Sequence, residues 1–154
     1  MKEFRGFAAL AEHLIAVAAT REMTIHHGLK AAAEHVEKTA KEEVGHYQPE
    51  TGPFPAWAEL ADSTKADRVA KGFTENDPLL RSGELRDGYQ HEVIGDTAVI
   101  GSESDVALWM ETGTEKAPPR PVLGAAAYNS REEVVNTVGR AAVQGLIGSM
   151  PDSK

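Results

Sequence analysis

The chain has 154 residues, no cysteine, and a formal net charge of −8. Its composition, 41% hydrophobic and 26% charged, lies inside the range of globular proteins and outside that of disordered ones. Disulfides, thiolate nucleophiles and Cys-ligated metal centres are excluded, and the length predicts one domain over 1–154 that buries roughly two-thirds of the surface its unfolded form exposes.

The acidic excess is local. Residues 46–120 carry seven basic and fourteen acidic side chains, while 1–45 and 121–154 are close to balanced. From Asp87 to Glu115 there are seven carboxylates and no Lys or Arg. Such a surface repels phosphate backbones, which argues against tight nucleic-acid binding by this segment. Glu3, Glu12 and His13 interrupt the N-terminal apolar stretch, and no run of about 18 apolar residues occurs. The sequence therefore predicts a soluble chain with no membrane partner, folding where it is made.

In chain order, residues 1–45 read as helical. Phe4, Phe7, Leu10, Leu14 and Val17 recur at three- and four-residue intervals, one apolar stripe on a helix. A second stripe runs through Ile25, Leu29, Ala32, Val36, Ala40 and Val44, with Thr24 a candidate N-cap and Gly45 a stop signal. The pattern allows two helices or one long one. Residues 46–80 read as a loop and a short helix. Pro49, Gly52, Pro53 and Pro55 stop helix propagation, Phe54 and Trp57 are expected to plug into the core, and Asp62 or Ser63 is expected to cap a helix running to Val69.

Residues 81–126 form the expected sheet region. Ser82, Glu84 and Leu85 suggest one helical turn before it. Residues 89–102 alternate as a β-hairpin, with Gly95 and Asp96 as a two-residue turn that wants Gly first. That register sets Ile94 opposite Thr97, Val93 opposite Ala98 and His91 opposite Ile100, and puts Tyr89, His91, Val93, Ala98 and Ile100 on the core face. A short apolar turn at Val106–Met110, the Gly113 turn, a stiff Pro-Pro-Arg-Pro spacer and an edge strand at Arg120–Leu123 follow. Over 127–148, Ser130 with Glu133 predicts a capping box, opening a helix that turns Val134, Val135, Val138, Ala142 and Leu146 inward. Gly139, Gly145 and Gly148 cost it about 1 kcal/mol each relative to Ala, unless another element approaches closely. Residues 149–154 are expected to fray. The fold class is thus α+β: a small antiparallel sheet containing a hairpin, flanked by long N-terminal helix or helices and a C-terminal helix.

Little in the sequence points to catalysis or to a bound cofactor or metal. His26 and His27 fall on different faces of a helix, His35 and His46 are eleven residues apart, and no His-Glu-x-x-His occurs. Gly-x-Ser-x-Gly and the Gly-rich phosphate loops are absent. His91 on the core face reads more readily as a partly buried, hydrogen-bonded histidine than as a general base. Pro118 and Pro121 have the spacing of groove-binding ligands, although a rigid connector explains them more cheaply.

Five short patterns stand in order: Trp57 with Leu60; Leu79, Gly83 and Leu85; Ile100, Gly101 and Ser102; Glu111, Gly113 and Thr114; and Arg120, Pro121 and Leu123. Over roughly 55–126 this order resembles the minor tail, neck and tail-completion (virion-morphogenesis, tail-component) proteins of long-tailed bacteriophages. Val122, Val106 and Gly88 depart from the family's usual aromatic, Tyr and Ser. The resemblance implies a structural virion protein, in a phage, prophage or gene-transfer particle, assembled in the bacterial host cytoplasm. It further implies a homo-oligomeric ring, hexameric or dodecameric, between head-completion or connector proteins and the tail-tube proteins, with DNA passing through in transient, non-specific proximity. In that setting Trp109, Glu111, Thr114, Pro119, Arg120 and Pro121 are the expected subunit or partner contacts, Arg120 pairing with a carboxylate. Glu92, Asp96, Glu103 and Asp105 are the expected channel-lining charges, because acidic walls keep DNA from sticking. Two rivals are a small metal-dependent hydrolase using His91 with Glu92 or Glu111, and a monomeric adaptor docking through its Pro-rich loop.

Overall fold

The computed structural model of the chain describes residues 6–147. Phe4, Gly148 and the tail at 149–154 lie outside them. Mixed helix and sheet follow in the order α1 (Phe7–Glu43), α2 (Asp62–Ala70), α3 (Glu84–Asp87), β1 (Gln90–Ile94), β2 (Thr97–Gly101), α4 (Asp105–Thr112) and α5 (Leu123–Ile147).

The two apolar stripes of the first 45 residues form one uninterrupted helix. Thr24 caps nothing; it sits mid-helix, and its hydroxyl donates to the carbonyls of Thr20 and Arg21 at 3.0 Å. Alanines and leucines favour this helix intrinsically, and the i,i+4 pairs Lys30–Glu34, Lys38–Glu42 and Glu37–Lys41 add a few tenths of a kcal/mol each. It ends where expected. Val44 turns extended and Gly45 takes a left-handed φ of 99°, its N–H donating to Pro78.

α5 runs antiparallel along α1. Ser130 reaches Thr39, Asn129 reaches Glu43, Gly28 lies under Ala141, and Gly145 lies against Thr24 and the Arg21 backbone. A Cβ on Gly28 would stand 2.4 Å from that of Ala141, and one on Gly145 would stand 2.8 Å from Arg21 Cα. Gly145 is therefore used for close approach, whereas Gly139 meets nothing. The fully buried residues of α5 are small, Ala125, Ala126, Ser130, Ala141 and Gly145; of those expected inward, Val134 packs against the core and Val138 and Ala142 are half-buried. Val135 and Leu146 are exposed. Small residues on both helices let the axes come together, and Val135 and Leu146 are turned out by that geometry.

Two further expectations fail for one reason. α5 begins at Leu123, so Ser130 is interior and opens no helix, and Arg120–Leu123 is not a strand. The start signal is remote in sequence. The Glu111 carboxylate, at the end of α4, accepts the N–H groups of Val122 (2.9 Å) and Leu123, filling the role of a cap and placing negative charge at the helix N-terminus. Likewise α2 starts at Asp62 behind Ala61, with no side-chain cap.

The hairpin register is the expected one, Ile94↔Thr97 through His91↔Ile100, extended to Gln90↔Gly101. Gly95 takes a φ of 61° at the turn. Tyr89 is fully buried; His91, Val93, Ala98 and Ile100 are half-buried; and Gln90, Glu92, Ile94, Thr97 and Val99 face out. The core joins Val36 and Ala40 of α1, and Val44 just past its end, to Trp57, Tyr89, Ala107, Val122 and Ala126. Trp57 plugs in as expected, its indole N–H donating to Pro121 at 3.2 Å. Phe54 packs edge-on to Tyr128 and covers Gly124.

Candidate interaction surface

The residues expected to make contacts divide into two groups. Trp109, Thr114 and Pro119 are exposed, Trp109 at 50%. Arg120, Pro121 and Glu111 are turned to internal work. Arg120 is only 6% exposed and donates to the carbonyls of Ala58 (2.8 Å) and Glu59 (3.2 Å), while its own N–H donates to Met110. It pairs with backbone and not with a carboxylate, and burial lowers its pKa. Pro121 is buried under Trp57, so Pro118 and Pro121 cannot be presented together to a groove.

The four acidic candidates are all exposed. Glu92 and Glu103 flank one shallow groove between the hairpin and the start of α4, with Val99 and Ser102. Asp96 is at the hairpin tip and Asp105 in the first turn of α4. Beside them the outward hairpin face shows Ile94 and Val99, and α4 shows Val106 and Leu108 together with Trp109. The hairpin and α4 thus present apolar side chains next to carboxylates, a composition more suited to a protein contact than to a solvated face.

The residues of the hydrolase reading do not converge. His91 and Glu92 are successive on β1 and point to opposite faces, and Glu111 is held at the start of α5. His91 Nδ1 instead hydrogen-bonds Glu37 of α1. Burial pushes the Glu37 carboxyl upward, but hydrogen bonds from Lys41 and His91 outweigh it and leave the pKa below its ordinary value. This pair ties the hairpin to α1. Among the described residues no group of three or more His, Asp or Glu gathers in a metal-holding arrangement, and no helix is long and apolar enough to cross a membrane.

A polar knot inside the core escaped sequence reasoning. Glu43, 6% exposed, accepts from Asn129 at 3.3 Å on one oxygen, while its other oxygen and the Tyr89 hydroxyl are buried without a partner. Burial raises the Glu43 pKa to about 7, the Asn129 hydrogen bond opposing and the nearby Glu111 charge adding to the rise. Burial, with Glu111 and Glu43 close by, also raises that of Tyr89. One signal was present: Glu43 falls three residues after Ala40 on the apolar stripe of α1, a position that a solvated carboxylate would avoid. Arg68 gave no such signal. It is buried and donates to Thr74 (2.6 Å) and Leu80 (2.5 Å), fastening α2 to the turn at Leu79, the one non-glycine described residue with positive φ.

No protein-family model, curated protein or solved structure matches the chain.

Proposed function

We propose that the chain is a non-enzymatic structural component of a tailed virion or related particle, acting as a neck, tail-terminator or tail-completion ring at the head–tail interface. The observation that carries the reading is the pairing of exposed apolar side chains on the hairpin and α4 with the exposed carboxylates Glu92, Asp96, Glu103 and Asp105. The five ordered patterns from Trp57 to Leu123 support it. Trp109, Thr114 and Pro119 are the contact residues of this reading. Arg120, Pro121 and Glu111 support them from behind by fixing the 113–122 loop, and the acidic side chains turn toward the lumen. A head-to-tail contact of this kind must close on itself to give a ring of six or twelve copies and not a filament.

Negative-stain images and light scattering test this directly, on the protein alone and mixed with candidate portal-side and tail-tube proteins. Annuli are expected. A strictly monomeric species in every mixture overturns the reading.

A further inference from the structure

The first part of α1 runs beyond the described part of α5. Ser130 lies level with Thr39, Ala141 with Gly28 and Gly145 with Thr24, so Ile147 lies near residue 22, and residues 7–20 project past the described end of α5. Of these fourteen residues eleven are apolar, and Glu12 is the one carboxylate. Phe7 is 92% exposed, Ile15 71% and Leu14 57%. At 100° per residue, Phe7, Ala11, Leu14 and Ala18 fall within an arc of about 60°, with Leu10 on one flank and Ile15 on the other. This face carries no charge.

Its spacing reads the same from either end, while its sizes alternate large and small from Phe7 to Ala18. The spacing is four, three, four, and reversing the helix sets each large residue against an alanine: Phe7 on Ala18, and Leu14 on Ala11. Leu10 then meets Ile15. We propose that this face is a contact between two copies of the chain, residues 7–20 of one α1 packing antiparallel on residues 7–20 of the other. A foreign partner would need its own matching face, whereas a second copy already has one. In such a two-fold contact the same patch serves both sides.

The area sets the strength. Fourteen residues give about 21 Å of helix, and half its girth is a face of roughly 350 Å². That is within the range of the largest patches on monomers, about 300–600 Å², and below the roughly 800 Å² per partner of a standard interface. The pairing is therefore reversible and populated at high concentration. It does not rest on the ring reading, because it uses a different element from the hairpin and α4.

Sedimentation equilibrium of the full chain up to roughly 0.5 mM, a range suited to weak pairing, provides the test, with Ala11→Lys and Leu14→Glu as variants. The wild type is expected to dimerise. Each variant alone is expected to weaken dimerisation roughly 100-fold, since each sets a charge in an apolar seam, with circular dichroism and melting temperature unchanged. Mixed one to one, the variants are expected to pair again, because Lys at 11 then faces Glu at 14. A wild type that stays monomeric, association that neither variant disturbs, or a mixture no better than its components overturns the proposal. Annuli that persist in both variants would leave the ring reading standing while this contact fails.

Discussion

Between Thr24 and Glu43, α1 buries Thr24, Gly28, Ala32, Ala33, Val36 and Ala40; between Phe7 and Thr20 the same helix, richer in large apolar residues, leaves Phe7, Leu14 and Ile15 exposed. Hydrophobicity does not separate the two parts. What separates them is size: small residues in the second part let α5 lie close, and Gly28 and Gly145 mark the tightest approaches. The first part offers large side chains with nothing of comparable shape opposite them among the described residues. Burial in a helix pair is thus decided by which faces can interlock, and a strong apolar stripe left exposed among the described residues is available to another molecule.

The comparison yields graded predictions. Trp57→Ala strikes where α1, the 50s loop and α5 meet, removing a buried ring and its hydrogen bond to Pro121. It should cost about 3–5 kcal/mol in urea unfolding. A smaller effect should come from pH. The Glu43 carboxyl titrates near 4.5 when unfolded and about 7 when folded. Because the folded value is raised, the protonated group favours folding, so this contribution is full below about pH 4.5 and is lost as pH rises through 7. The loss should be on the order of 3 kcal/mol, visible as a falling melting temperature between pH 5 and 8, and Glu43→Gln should flatten it. A curve that rises over that window in the wild type would contradict the burial of this carboxyl.

Gly28→Leu should cost about 2 kcal/mol, since even a Cβ there collides with Ala141, whereas Ala18→Leu on the projecting part should change monomer stability by less than about 0.5 kcal/mol. Equal effects would erase the distinction between the two parts of α1. The smallest thermal effect is expected for Trp109→Ala, within about 0.5 kcal/mol because the ring is half exposed. Under the ring reading proposed above, light scattering should nonetheless show a fall in assembled mass.

Local patterns made much of this fold legible. The hairpin could be read because alternation and a Gly-first turn fix strand register by themselves, and the end of α1 because Gly45 supplies a conformation that few other residues tolerate. The start of α5 could not, since Glu111 caps it from eleven residues away and Ser130 with Glu133 offered a false local substitute. Arg120 was misread for a related reason: a guanidinium in a Pro-rich loop looks like a surface group until the carbonyls of Ala58 and Glu59 are seen around it. Of the candidate site, Trp109, Thr114, Pro119 and the four carboxylates are exposed; the internal roles of Arg120 and Pro121 depend on contacts across some sixty residues, and that of Glu111 on contacts across eleven and twelve, which periodicity does not encode.

Amide hydrogen exchange along α1 at two protein concentrations tests the central claim most directly. Residues 24–43 should be protected to the same high degree at both, while residues 7–20 should exchange quickly in dilute solution and gain protection as concentration rises. Protection of 7–20 that equals that of 24–43 when dilute, or that ignores concentration, would contradict the assignment of this part of the helix to contact with a second copy.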